Sequence, residues 1–169
     1  HVLTATGAGS APAWEAAAGG VTHASQWRLT ASFTGNAEPI ASNWEKVDTA
    51  GYSSLGGDMT ESSGVFSFPS LGYWLITYQS GCYSNNQGSD YYIDYRIQTS
   101  TTSPESWSNA SRGRTGIAGS SFANSMFCSF VFDVIDSNCK CQFNITNNGS
   151  TCSNNTDENR TAVTFIKLG

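Results

Sequence analysis

Side chains that can carry acid–base or nucleophilic chemistry are few in this chain. Its two histidines, His1 and His23, both fall in an N-terminal tract of small residues, so a Ser-His-Asp or Cys-His arrangement would need a base from outside the folded body. The sequence contains no Gly-x-Ser-x-Gly elbow, His-Glu-x-x-His pair or phosphate-binding loop. Asp133 and Asp136 could offer oxygens to a cation, but a turn closed by Asx side chains is the favoured interpretation. We therefore predict a protein that is not an enzyme, with no catalytic residues, cofactor or metal.

The five cysteines suggest covalent chemistry of another kind. Cys139 and Cys141 point to the same face of one strand and cannot easily bond each other, whereas Cys152, beyond a polar loop, could fold back to reach either. We predict a disulfide from Cys152 to Cys139 or Cys141 if the protein matures in oxidising surroundings. Cys128 lies in an apolar strand typical of a buried thiol, and Cys82 is either free or bonded.

The composition favours a rigid, weakly charged all-β protein. Charged residues make up 12% of the 169 residues and the net charge is −5, so the chain has no basic surface to bind nucleic acid. No apolar run has the length needed to cross a membrane, and a first residue of His1 suggests a processed product or a fragment of a longer polypeptide. We expect one domain, no nucleic-acid partner and no membrane insertion.

The chain divides into two parts. Residues 1–25 are mostly Ala, Gly, Ser and Thr, which predicts a linker or a stalk-attachment segment. From residue 26 to residue 169, apolar and polar residues alternate in eight to ten short runs separated by Gly, Ser, Asn and Pro. This pattern predicts a globular head built as an antiparallel sandwich or barrel.

Two of the predicted strands are apolar on both faces. The first spans residues 73–78 and the second residues 125–135, and each has apolar side chains at consecutive positions. One face of each strand belongs to the core, so the other must be covered by a neighbouring subunit or by a loop of the same subunit, such as residues 36–58 with Trp44 and Tyr52. We favour the neighbouring subunit. The residues expected to form the core and the subunit contact are Tyr73, Trp74, Leu75, Ile76, Tyr78, Phe127 and Val131.

Residues 64–79, "GVFSFPSLGYWLITYQ", resemble the central strand pair of the globular heads of the complement q-subcomponent and tumour necrosis factor superfamily. The segments "SMFCSFVFDVID" and "TAVTFIKLG" fall where that superfamily has its last strands. The resemblance covers about residues 26–169. It implies an antiparallel jelly-roll sandwich of about ten strands that assembles as a compact homotrimer, with aromatic residues of one sheet around the three-fold axis.

A second resemblance lies in the N-terminal tract. The segment "HVLTATGAGSAPAWEAAAGG" is similar to segments that precede the terminal domain of bacteriophage tail and head fibres. In combination with "WRLTASFTGNAEPIASNWEKVD" and the terminal "FIKLG", it resembles fibre or appendage proteins of marine phages. This resemblance implies a virion structural protein, a fibre or appendage knob on the virion surface, joined through its N-terminal segment to other virion proteins and recognising a host surface. The alternative is a secreted, complement-like trimeric protein that binds a glycan or a protein.

In a jelly roll the sheets are committed to packing, so recognition is expected in loops. We expect it in "SGCYSNNQGSDYY" and "TTSPESWSNASRGR", where aromatic rings stand among amides and could stack on sugar rings while the amides bond hydroxyl groups. The alternative is that these aromatic residues pack their loops onto the edge of a sheet. The residues concerned are Tyr83, Tyr92, Trp107, Asn109, Arg112 and Arg114.

Overall fold

The computed structural model describes residues 2–4, 13–15, 19–84, 90–117 and 123–169. These residues form fourteen strands and no helix, so none of the described segments is a helix that could span a membrane. The strands are β1 (Val2–Thr4), β2 (Ala13–Glu15), β3 (Val21–Leu29), β4 (Phe33–Thr34), β5 (Trp44–Lys46), β6 (Thr60–Ser62), β7 (Val65–Ser67), β8 (Gly72–Tyr83), β9 (Asp90–Ser100), β10 (Ser108–Ile117), β11 (Ala123–Val134), β12 (Lys140–Thr146), β13 (Thr151–Ser153) and β14 (Ala162–Leu168).

Two antiparallel sheets form the head. The five-stranded sheet has the order β10-β9-β12-β7-β6. The seven-stranded sheet has the order β4-β13-β8-β14-β3-β5, with β11 paired to the remaining edge of β8. The predicted all-β jelly-roll fold is confirmed, although several short strands, such as the two-residue β4, raise the number above ten.

The core lies between the two sheets and follows from the period-two alternation of the strands. In β8, Trp74, Ile76 and Tyr78 are buried, and in β9 Ile93 and Ile97 face them from the other sheet. Rings from both sheets interlock near the centre, where Phe66 has its centroid 5.4 Å from that of Phe143 and 5.3 Å from that of Phe165. These contacts fix the sheets against each other and leave the two outward faces for other roles.

The head begins earlier than the sequence pattern indicated. Strand β3 starts at Val21, and Val21 pairs with Leu168 of β14, so the predicted boundary at residue 26 lies inside a central strand. His23, expected in the N-terminal tract, is in this strand, and its ring centroid is 5.5 Å from that of Trp74. The strands β1 and β2 of the N-terminal tract pair with each other as a separate two-stranded sheet.

The loop at residues 36–58 does not cover the outward face of β8. Trp44 points into the core, where its ring lies 5.4 Å from Phe66, and its Nε1 donates to the Ile40 carbonyl at 2.8 Å. The Tyr52 hydroxyl accepts a bond from the Gln26 amide at 2.9 Å, which ties the loop to β3. The alternative, in which this loop of the same subunit covers the doubly apolar strands, is therefore wrong.

Candidate functional site

The outward face of the seven-stranded sheet carries an apolar surface, which we call the association face. Tyr73 is 55% exposed, Phe127 60% and Val131 52%, although all three lie in long strands. The register places Leu75 opposite Val131 on one side and opposite Ile166 of β14 on the other, so an apolar row crosses three neighbouring strands. Exposed apolar residues that adjoin in this way mark an interaction surface more often than scattered ones do.

The residues predicted for the doubly apolar strands divide between two environments. Trp74, Ile76 and Tyr78 belong to the core, whereas Tyr73, Phe127 and Val131 belong to the association face. This division follows from the pleat, since neighbouring residues of a strand point to opposite sides of the sheet.

The outward face of the five-stranded sheet is polar and is built around Asp94 of β9. This carboxylate is buried beneath Arg112 and Arg114, whose guanidinium groups each lie 2.9 Å from it and remain about half exposed. The guanidinium carbon of Arg114 also lies 4.3 Å from the centroid of the Tyr92 ring. Burial raises the pKa of Asp94, but the hydrogen bonds and charges of Arg114 and Arg112 outweigh it and hold the pKa below its ordinary value.

A network of side-chain amides continues this face across three strands. Gln98 donates to Asn109 at 3.0 Å, and its carbonyl oxygen accepts bonds from Gln142 at 2.7 Å and from Asn144 at 2.9 Å. Each amide is therefore held in one orientation by its neighbours. Together, Asp94, the arginines that cover it, Tyr92 and the amides make up what we call the recognition face.

Trp107 borders the same face at its other end. It lines an open groove of about 390 Å³ together with Glu61, Glu105, Lys140 and the hydroxyl-bearing residues of β6 and β7. Glu61 is fixed by a bond from the Gly64 amide at 2.6 Å. The groove thus combines an aromatic ring with carboxylates, an ammonium group and hydroxyls.

Tyr83 lies apart from the other predicted recognition residues. It ends β8 on the seven-stranded sheet, where it lines a groove of about 570 Å³ that Phe127 also lines. Most of the residues expected in loops are in fact in strands: Tyr92 in β9, and Asn109, Arg112 and Arg114 in β10. Residues 85–89 of the first expected loop lie outside the described residues.

The sequence reasoning missed Asp94, Gln98 and Lys140 as parts of this face. A signal was present, because Tyr92, Asp94, Arg96 and Gln98 alternate with the apolar residues of β9 and so share its outward side.

The predicted disulfide from Cys152 to Cys139 or Cys141 is wrong, and all five cysteines are free thiols. Cys141 is in β12 of the five-stranded sheet, and Cys139 is the residue before that strand begins. Cys152 is in β13 of the other sheet. Cys152 instead lies directly opposite Cys82 of β8.

The described residues include no group of three or more His, Cys, Asp or Glu side chains arranged to hold a metal ion. Asp136 instead closes a turn, in which its carboxylate accepts a bond from the Asn138 amide at 2.8 Å. The Asx turn favoured from the sequence is therefore present.

Comparison with known proteins gives a fold and no closer relative. No family profile and no curated protein sequence matches the chain. Among solved structures, murine APRIL at pH 8.5 matches with a TM-score of 0.63 and 13% identity, covering 86% of this chain and 98% of that one. Eiger TNF from S. frugiperda matches with a TM-score of 0.65 and 11% identity, covering 86% and 92%. The fold is a tumour necrosis factor-type jelly roll. At these identities the likeness shows the fold alone.

Proposed function

We propose that this chain forms the head of a homotrimer that recognises an extracellular partner. The observation that carries the proposal is the association face: an apolar row across β11, β8 and β14 that no described part of the chain covers. Two further copies of the chain are the occupants, because the sequence resemblance implies three-fold packing of aromatic residues from this same sheet. Light scattering of the purified chain should give three times its mass of 18.0 kDa. A stable monomer at micromolar concentration would contradict the proposal.

Recognition is assigned to the opposite side of each subunit. If neighbouring subunits cover the association face, the recognition face of the five-stranded sheet stays on the outside, where its two arginines are half exposed, whereas Gln142 and Asn144 of its amide network are buried. Ordered donors and acceptors cost little entropy on binding, because their orientation is already fixed.

The Trp107 groove supports a glycan as the ligand. A sugar ring has an apolar C–H patch for the Trp107 ring, and its hydroxyls can donate to Glu61 and Glu105 or accept from Lys140. Because two carboxylates and one ammonium group line the groove, a neutral sugar fits it better than an acidic one. The binding site would thus be polar with one aromatic platform.

The experiment is a glycan-array measurement with the wild-type head, Trp107→Ala and Tyr83→Ala. We expect Trp107→Ala to lose binding at least tenfold and Tyr83→Ala to retain it, because Tyr83 is on the other sheet. Loss in Tyr83→Ala alone would move the recognition surface to the seven-stranded sheet. Binding that survives both changes would exclude both residues.

The proposal also concerns the larger assembly to which the head is attached. The N-terminal resemblance favours a virion appendage, in which this segment joins the head to other virion proteins. A secreted, complement-like protein is the alternative. The sequence that precedes His1 in the encoded polypeptide distinguishes them, since fibre repeats indicate the first and a signal peptide or collagen-like repeats the second.

A further inference from the structure

Cys82 and Cys152 form a pair at one end of the core. They are directly opposite each other on the antiparallel strands β8 and β13, and both are fully buried, at 1% and 0% exposure. Opposed residues of antiparallel strands have Cα atoms about 4.5 or 5.5 Å apart, and a disulfide needs about 4.4–6.8 Å. The register therefore already supplies the backbone separation that a disulfide requires.

The two thiols are in contact but not equivalent. Each thiol shifts the pKa of the other, so the two sulfurs lie within interaction range. The Cys152 sulfur also lies 3.3 Å from the Ser80 hydroxyl and 3.1 Å from the Thr161 hydroxyl, and the Asn154 amide donates to it at 3.8 Å. The hydrogen bond from Cys82 and those from the other three groups outweigh the effect of burial and lower the pKa of Cys152 to about 7. Cys152 is therefore the sulfur that is held ready as a thiolate.

The surroundings give an oxidant a route to the pair. The Cys82 side chain faces the core, but the groove of about 570 Å³ on the solvent side of β8 and β11 reaches its strand, where Gly81 has no side chain to fill it. Strand β13 has three residues, and its outer neighbour β4 has two, so few backbone hydrogen bonds hold this corner of the sheet and it can open locally at this end of the core.

We propose that Cys82 and Cys152 are a site of disulfide formation, in which a small disulfide such as oxidised glutathione cross-links β13 to β8. The Cys152 thiolate attacks one glutathione sulfur, which expels a glutathione thiolate and leaves a mixed disulfide on Cys152. Cys82, whose pKa is raised by its interaction with Cys152 and by burial, gives its proton to the released thiolate, and its sulfur then attacks the Cys152 sulfur and expels the second glutathione. Two protein thiols are oxidised, and one glutathione disulfide is reduced to two glutathione molecules.

The test uses the whole chain in two arms. In the first, the folded protein is incubated with oxidised glutathione; in the second, reduced and denatured protein is refolded in a glutathione redox buffer. Both are then alkylated, digested and mapped without reduction. We expect a peptide pair joined through Cys82 and Cys152 and lighter by two hydrogen atoms than the two free peptides, with Cys128, Cys139 and Cys141 alkylated.

Stability and matched variants provide a second readout. The bond closes a loop of about 70 residues, which should raise the Tm by about 10 °C, reversibly on addition of dithiothreitol. Cys152→Ser, which keeps a hydroxyl for the Ser80 and Thr161 contacts, should lose this shift, whereas Cys139→Ser should keep it. Five alkylated thiols in both arms, a bond to another cysteine, or a linked form that melts below the reduced form would overturn the proposal. The refolding arm tests the proposal whether or not the head is trimeric, because there the bond can form before the association face, to which Phe127 of this groove belongs, is covered.

Discussion

Replacing Phe127 with alanine should weaken the trimer while leaving the subunit folded. The ring is 60% exposed in the isolated chain, so its truncation removes little core packing. An aromatic side chain can bury about 150–250 Å², so the exposed part of this ring, without the Cβ that alanine retains, offers about 80 Å² to a neighbouring subunit. At about 25 cal/mol per Å², the loss is about 2 kcal/mol per copy and about 6 kcal/mol per trimer.

This loss has a measurable size. About 6 kcal/mol corresponds to a fall of about 10⁴-fold in the overall association constant of the trimer. Because the midpoint concentration of a monomer–trimer equilibrium varies with the inverse square root of that constant, the midpoint should rise by about 100-fold. Size-exclusion chromatography with light scattering over a dilution series measures this midpoint directly.

Tyr92→Ala is the matched control, because Tyr92 is 48% exposed but lies on the other sheet. We expect it to dissociate at the wild-type concentration. The reasoning is refuted if Phe127→Ala dissociates at the same concentration as wild type, or if Tyr92→Ala shifts the midpoint equally.

Three further predictions concern stability. The pKa of Asp94 is lower in the folded protein, so its ionised form stabilises the fold fully above about pH 4, its ordinary pKa, and this stability is lost as the pH falls through the folded-state value. Asp94→Asn should therefore flatten the profile of Tm against pH between pH 7 and 3. Parallel profiles of the wild type and the variant would contradict this. In urea titrations, Gly64→Ala should lower the free energy of unfolding by more than Gly35→Ala does. Both glycines have a positive φ, but only at residue 64 does an added Cβ lie 2.4 Å from a carbonyl oxygen, that of Ile40. Equal losses would show that backbone strain alone sets the cost. Phe66→Ala should lower the free energy of unfolding by about 3–5 kcal/mol in the same titration, because the fully buried ring contacts aromatic residues of both sheets. A loss below about 1 kcal/mol would contradict this packing.

The fold class and both faces of the long strands could be predicted from the sequence. A period of two in β8 and β11 is a local property, and it separates Trp74 and Ile76 from Tyr73 and Val131 without knowledge of strand order. The presence of apolar side chains on both sides then indicated a surface that needs a partner. The premise of this inference is that a strand can bury only one of its two faces in the core of its own subunit.

The pairing of distant strands could not be predicted. Cys152 meets Cys82 because β13 docks beside the end of β8, and no local pattern records a contact between segments so far apart. The segment "TTSPESWSNASRGR" is predicted to be a loop, yet its end belongs to a strand. Gly113 is instead in β10, where an added Cβ would lie 2.4 Å from the end of the Met126 side chain. It is small because strand β11 packs against it.

The position of β14 between β3 and β8 constrains how the protein can be made on the ribosome. The edge of β3 that receives β14 has no partner until residues 162–168 have been synthesised, about 130 residues after β3 itself. At about 5–20 residues per second, that delay is roughly 7–26 s. Throughout it, β3 and β8 each present an unpaired backbone edge to other nascent chains. The central sheet therefore closes only after translation of its last strand, and neighbouring chains on one messenger RNA compete for these edges until then.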